Sequence, residues 1–395
     1  MNTDNFEKNQ LEFSLENQAK QRSKFQSEFI AASKNKKLVA LEACTSSGKG
    51  RACFKFIQED TSTKKWLILV PEILQVQNMK DDIVKHGFDT LYKKIEDIIC
   101  YASFDKYKGK QLNIWCNEVH RFSELKYDIS KTILFDKFLV DSATIPYSVK
   151  ERLNEIGDFF YFKLSLKEAI ERGILPEPNI YIIDIELDNI SKRHKKTFGS
   201  KKIFLTDKEY NKYLDKDLEY WKYKLQENPD QQWIKNKMNS IGLIRKRFFS
   251  DVKTNHLKTL VEQLSNKRFI CFCGSLNQAD LLGGNCAIHS KKTKKHNLKT
   301  LEKFNNLEIS QIYLYKMGRE GLNLKNINCG IITQLSTGND EGLEFLQSFG
   351  RSLRSETPEF YILCIKNTRD EVFLQKALNN VDKKYVKKYK LITNN

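Results

Sequence analysis

The stretch from Lys37 to Phe56 constrains the fold of this chain more than any other. It reads as an apolar strand, Leu38-Val39-Ala40-Leu41, then a loop, Ala43-Cys44-Thr45-Ser46-Ser47-Gly48-Lys49-Gly50, then a helix carrying Phe54 and Phe56. A strand feeding a small-residue turn that closes on Gly-Lys and opens a helix makes a phosphate cradle, because loop amides and the helix N-terminus converge on an anion. Lys49 then reaches the β- and γ-phosphates. The pattern G-x-x-x-x-G-K-[ST] is met only in part. Its first glycine is Ala43, and its final hydroxyl residue is Gly50. A small polar surface turn is the competing reading of the loop alone, and the residues downstream decide between them.

With 395 residues the chain exceeds one ordinary core, which stops growing near ~250–300 residues, so two domains plus additions are expected. Hydrophobic residues make up 40% of it, enough for two cores. No apolar run reaches the length of a membrane span, and the first residues are rich in Asn, Gln and Glu, without a signal-peptide pattern. A soluble, cytoplasmic protein is the expectation. The net charge of +17 draws the chain towards polyanions, nucleic acid first among them. An AT-rich, lysine-rich coding sequence is the bland explanation of the same excess. Nine cysteines lie scattered in apolar segments without a C-x-x-C pair, which reads as core filling by free thiols.

Upstream of the loop, Gln26 precedes an amphipathic segment, Phe29-Ile30-Ala31-Ala32; its amide, both donor and acceptor, suits an adenine edge. Downstream come Trp66 to Val70 ending at Pro71, a helix from Leu74 to Val84, and Ile98 to Tyr101. Leu112 to Cys116 runs into Asn117-Glu118-Val119-His120, and Phe135 to Val140 runs into Asp141-Ser142-Ala143-Thr144. Short buried strands that end in polar clusters and alternate with helices argue for a parallel sheet whose working edge is its strand C-termini.

Beyond Gly173-Ile174-Leu175-Pro176 one more strand, Ile180 to Ile183, leads to residues 191–257. There basic residues outnumber acidic ones about two to one, interleaved with Tyr210, Tyr213, Tyr220, Trp221, Tyr223 and Trp233. This segment is expected to be a helical insertion, an antiparallel pair, that contacts nucleic acid or forms only a solvated hairpin. A second α/β region begins near Lys267, and Arg369 to Tyr389 reads as a basic amphipathic helix.

Over about residues 20–366 the chain resembles superfamily 2 helicases and translocases of DEAD/DEAH-like type, in the compact form found in phages and mobile elements. The resemblance rests on ordered motifs: Gln26, Gly48-Lys49, Val70-Pro71-Glu72, Asn117-Glu118-Val119-His120, Ser142-Ala143-Thr144 and Phe272-Cys273-Gly274-Ser275. It continues with Met317-Gly318-Arg319-Glu320-Gly321-Leu322-Asn323-Leu324 and Gln347-Ser348-Phe349-Gly350-Arg351-Ser352-Leu353-Arg354. It implies an α/β fold of two RecA-like parallel-sheet domains in tandem with a basic helical insertion between them. The expected divisions are 1–165, the ATP-binding domain; 166–258, a connecting strand and the insertion; and 259–395, the second domain with a basic tail helix.

The resemblance also assigns roles, with ATP and Mg2+ as cofactors. Ala43, Thr45, Ser46, Ser47, Gly48, Lys49 and Gly50 hold phosphates, Gln26 holds the base, and Gly321 and Asn323 border the cleft. Glu118 polarises the attacking water, and Arg351 and Arg354 neutralise the transition state from the second domain. His120, Ser142, Thr144 and Gln347 couple ATP to the nucleic-acid track. Pro71, Ser103 and Ser275 line that track, joined by Trp221 and Trp233. Asn117 and Glu118 face the metal, which loses a hydroxyl at Gly50 and a charge at Asn117. An ATP-driven helicase or translocase on nucleic acid, DNA ahead of RNA, is therefore expected, with replication or recombination proteins as partners. A nucleic-acid clamp that hydrolyses ATP weakly, and the motor subunit of a restriction system, are the alternatives.

Overall fold

The computed structural model describes residues 3–198, 200–315, 324, 327, 329–335, 358–379 and 381–392. Apolar runs become strands β1 (Leu38–Ala43), β2 (Trp66–Val70), β3 (Ile95–Cys100), β4 (Asn113–Asn117), β5 (Phe138–Ser142) and β6 (Phe160–Leu164). Among the described residues they form a six-stranded parallel sheet in the order β3-β2-β4-β5-β1-β6. In β1, Val39 and Leu41 enter one hydrophobic cluster and Ala40 another, so the strand is buried on both faces, as its unbroken apolar run requires.

Helices α1 (Thr3–Ser33), α2 (Lys49–Glu59), α3 (Ile73–Lys85), α4 (Glu124–Lys131), α5 (Tyr147–Asn154) and α6 (Leu166–Glu171) accompany this sheet. Phe29 of α1 meets Phe56 of α2 at 5.8 Å, and Phe54 sits edge-on to Trp115 of β4 at 5.5 Å between ring centroids. These contacts lock the helix after the loop onto the sheet. Because β4, β5 and β1 are neighbours and parallel, the loop after β1, Asn117 and Ser142 all emerge on one edge.

The second sheet holds β7 (Asn179–Ile185), β10 (Phe269–Phe272), β11 (Ala287–Ile288), β12 (Gln311–Leu314), β13 (Cys329–Ile332), β14 (Glu359–Ile365) and β15 (Val386–Lys388). Among the described residues its order is β11-β12-β10-β13-β14-β7-β15, again parallel. Here the structure departs from the sequence expectation. The strand assigned to the connecting region is β7, which lies inside this sheet between β14 and β15. Its residues alternate into two cores, Ile180 and Ile182 on one side, Ile183 and Ile185 on the other, and a strand apolar on both faces needs neighbours on both edges.

The insertion also holds more than helices. An antiparallel hairpin, β8 (His194–Phe198) and β9 (Lys201–Leu205), precedes α7 (Asp207–Glu227) and α8 (Gln232–Gln263). Thr206 and Glu209 exchange side-chain and backbone hydrogen bonds of 3.2 and 2.9 Å and so start α7, and the Asn228-Pro229 turn folds α8 back onto it. Leu214, Leu218, Ile241, Phe248 and Phe249 form the buried seam. Within the second domain α9 (Leu276–Gly283) and α10 (Lys294–Asn305) separate strands.

The tail is not one basic helix. The helix Arg369–Leu378 stops there, and Val386 to Lys388 turns extended and pairs with β7. Tyr389 closes the edge by packing its ring 5.7 Å from Tyr181 and 5.2 Å from Tyr361, burial that a continued helix does not offer. Lys253 of α8 and Asp370 form a buried ion pair of 2.5 Å, joining the insertion's second helix to this tail helix.

Candidate active site

The candidate phosphate loop begins where β1 runs out. Cys44 N–H still donates to Leu164 O at 3.1 Å, after which Ser46 (φ 64°) and Gly48 (φ 90°) turn the chain through left-handed conformations into α2. Gly48 stands at the helix N-cap without a side-chain cap, which leaves the first-turn amides of α2 for an anion. The left-handed φ favours glycine there, and so does space: a Cβ on Gly48 lies 2.9 Å from Gln26 Nε2. Gln26 is 1% exposed, and its Oε1 is buried with no hydrogen-bond partner, an acceptor waiting for a donor such as an adenine amine. Ala43 is buried, and Ser47 is committed inward, its hydroxyl donating to Cys44 O at 2.7 Å. A side chain at Gly50 would meet nothing within 4 Å. Burial pushes the Cys44 thiol up to about 12, so it is an inert neighbour of the loop.

Opposite the loop, β4 ends in Asn117 and Glu118, and Glu118 adopts φ 54° and ψ 58°. This turn swings its carboxylate towards Lys49, whose Nζ lies 3.0 Å from Glu118 Oε1 and 3.1 Å from Asp141 Oδ2. Burial works against the Lys49 charge, but the two carboxylates outweigh it and hold the ammonium above its ordinary pKa. Glu118 Oε2 lies 3.4 Å from Ser142 Oγ and 3.5 Å from His120 Nδ1. His120 Nδ1 and Ser142 Oγ are 2.8 Å apart, and Ser142 Oγ donates to Thr144 O at 2.7 Å. The sequence-predicted Lys49, Glu118, His120, Ser142 and Thr144 thus form one connected network.

Asp141 stands in the sequence only as a strand end, with no site role expected of it. It is 0% exposed and accepts from Trp115 Nε1 at 2.7 Å and from Asn117 Nδ2 at 3.1 and 3.2 Å. Burial raises its pKa from the ordinary carboxylate range, while Lys49, Trp115 and Asn117 pull against that rise. A sequence signal existed: an aspartate closing an apolar strand directly before Ser-Ala-Thr.

The donor set fits a magnesium–nucleotide complex. Asn117 and Glu118 supply hard oxygens, and the Lys49 ammonium already lies between the Glu118 and Asp141 carboxylates, so the surroundings tolerate a cation. Among the described residues no cluster of three His, Cys, Asp or Glu forms a protein cage. The ion would therefore draw most of its ligands from phosphates and water, as Mg2+ on nucleotides does.

The expected nucleic-acid contacts are spread over the fold. Pro71 follows β2, Ser103 lies on the 3-10 helix Tyr101–Tyr107 beside Cys100, and Ser275 is buried as the N-cap of α9, accepting from Gln278 N at 3.1 Å. Trp221 and Trp233 meet edge-on at 5.4 Å across the α7–α8 pair, with Trp233 56% exposed. Thr45 sits in the loop at the end of β1. Gly321, Asn323, Gln347, Arg351 and Arg354 lie outside the described residues. Among the described residues no helix is long and apolar enough to cross a membrane.

Residues 252–356 match the family model described as the helicase conserved C-terminal domain. No curated protein matches the chain in sequence. Among solved structures it is similar to the Hef helicase domain of Pyrococcus furiosus, at 13% identity and TM-score 0.55, covering 89% of this chain and 97% of that one. It is also similar to a variant of S. cerevisiae Dbp5 bound to RNA and ADP BeF3, at 10% identity and TM-score 0.60, covering 93% and 89%. At these identities the likeness speaks for the fold. Residues 252–356 thus carry a match to the helicase conserved C-terminal domain, set in an architecture of two parallel sheets that the chain shares with these helicase structures.

Proposed function

We propose that the chain hydrolyses ATP and uses the cycle to move along or unwind nucleic acid, DNA ahead of RNA. The observation that carries this reading is Glu118: its left-handed backbone aims one carboxylate oxygen at Lys49 and the other at Ser142 and His120. A carboxylate so placed sits beside the phosphate loop and within a hydrogen-bond chain running to Thr144, the connection that a coupled ATPase needs. Lys49 and the loop amides take the β- and γ-phosphates, Gln26 takes the base, and Glu118 orients the attacking water. Mg2+, when bound, would supply charge neutralisation on the phosphates, and Asn117 and Glu118 are the residues that would hold it. Arg351 and Arg354, delivered from the matched C-terminal domain, neutralise the charge that develops on the transferring phosphoryl group. The net charge of +17 and the exposed Trp233 support a polyanionic track that includes the insertion. The compact layout suits a phage or mobile-element member that works beside replication or recombination proteins in the cytoplasm.

The test is phosphate release with and without single-stranded DNA and RNA, for the parent and Glu118→Gln. Stimulation by either nucleic acid, abolished in Glu118→Gln while ATP still binds, supports the motor. ATP binding without release in the parent refutes it. That outcome belongs to the second reading, an ATP-gated clamp, which is favoured by the absence of an oxygen at Gly50 and of a charge at Asn117.

A further inference from the structure

The magnesium face of the site lacks a charge at Asn117, yet a charge stands one strand away. Asp141 is the register partner of Asn117 across β4 and β5 and is fully buried. A buried carboxylate costs several kcal/mol unless donors surround it, and here they do. Oδ1 accepts from Trp115 and Asn117; Oδ2 accepts from Asn117 and faces the Lys49 ammonium.

This arrangement dictates how Asn117 stands. Its Nδ2 lies 3.1 and 3.2 Å from the two Asp141 oxygens. The reversed amide would set a carbonyl oxygen against two carboxylate oxygens with no proton between them, so chemistry fixes the orientation. A carboxamide carries its oxygen and nitrogen on opposite arms. Asn117 Oδ1 is therefore turned away from Asp141, and the anion behind the amide strengthens that oxygen as a ligand.

We propose that Asp141 is a positioning residue that restores to this site the negative charge missing at Asn117. It holds the Asn117 carboxamide with its oxygen presented to the cation of a magnesium–nucleotide complex, and it joins Glu118 in holding Lys49 beside the phosphates. This inference rests on the ATP reading above.

The test compares Asp141→Asn, Asn117→Asp and the transposed pair Asn117→Asp with Asp141→Asn. Each is titrated with a fluorescent ATP analogue in EDTA and in Mg2+, and Mn2+ affinity of the nucleotide complex is followed by electron paramagnetic resonance. Asp141→Asn is expected to lower the metal-dependent gain in nucleotide affinity and the Mn2+ affinity by about 10–100-fold, the usual effect of losing a group that orients a metal ligand. The transposed pair is expected to recover both to within about threefold, which a purely structural Asp141 would not allow. Thermal unfolding of each variant reports whether it is folded, and the transposed pair keeps the inference testable should Asp141→Asn fail to fold. Unchanged metal dependence in Asp141→Asn, or a transposed pair no better than either single variant, overturns the inference while leaving ATP binding intact. A parent that binds no nucleotide under either condition overturns the ATP reading itself, and this inference with it.

Discussion

Gln26 Nε2 stands 2.9 Å from the point where a Cβ on Gly48 would lie, and Gly48→Ala tests that closeness. Gly48 sits at φ 90°, where a residue with a Cβ costs roughly 1–2 kcal/mol. The new Cβ would lie 2.9 Å from Gln26 Nε2, and Gln26, 1% exposed, has little room to withdraw. Overpacking of this kind costs about 1–3 kcal/mol, so the whole penalty is about 2–5 kcal/mol. Gln26→Ala removes the atoms that the Cβ meets but not the backbone strain. The double variant is therefore expected to regain about 1–3 kcal/mol over the sum of the single effects. At about 2–4 °C per kcal/mol for a region of this size, the rescue reads as roughly 2–12 °C in thermal unfolding. Nucleotide affinity is expected to fall in both single variants, because one misaims the loop amides and the other removes the base contact. Single effects that add to within about 0.5 kcal/mol, the behaviour of independent sites, would falsify the proposed contact.

Three further outcomes are expected. Lys253→Met leaves Asp370 buried without its cation and destabilises the second domain by roughly 3–5 kcal/mol in urea unfolding, whereas Lys253→Met with Asp370→Asn is less destabilised; equal losses in the two would show that the ion pair does not carry the effect. In a thiol titration with Ellman's reagent at pH 8, half-buried Cys286 reacts first and the other eight wait for denaturant, Cys44 among them with its thiol pushed up to about 12; early modification of Cys44 would contradict the buried loop. Asp207 is opposed by burial, yet its hydrogen bonds from Arg193 and His194 hold its pKa below the ordinary 3.8. A depressed carboxylate stabilises above its unfolded pKa and loses that contribution as pH falls from 3.8 towards the folded value, so Asp207→Asn should be less stable at neutral pH and converge on the parent in acid; parallel stability curves would refute this.

Much of the fold was legible because its signals are local. Buried parallel strands read as unbroken apolar runs, and β1, β2, β4 and β5 stand where Leu38, Trp66, Leu112 and Phe135 announced them. The strands that escaped were those whose identity depends on partners. Residues 179–185 read as a strand but not as part of the second sheet, since sheet membership is decided by β14 and β15, far along the chain. Val386 to Lys388 has a helix-compatible composition and becomes extended because an open sheet edge and the rings of Tyr181 and Tyr361 await it. The hairpin at His194 to Leu205 hid within a lysine-rich run.

The same division holds at the site. The sequence by itself marked the candidate phosphate loop, the order of the motifs and the strand ends that carry Lys49, Glu118, His120, Ser142 and Thr144, because backbone turns and strand ends are set by neighbouring residues. It also exposed the missing hydroxyl at Gly50 and the missing charge at Asn117. Only the tertiary structure decided which carboxylate stands beside Asn117. Asn117 and Asp141 lie on separate strands, and nothing but the β4–β5 register brings the amide to the carboxylate and the carboxylate to Lys49. Electrostatic partnership is a matter of distance through space, and distance between strands is settled when the sheet assembles.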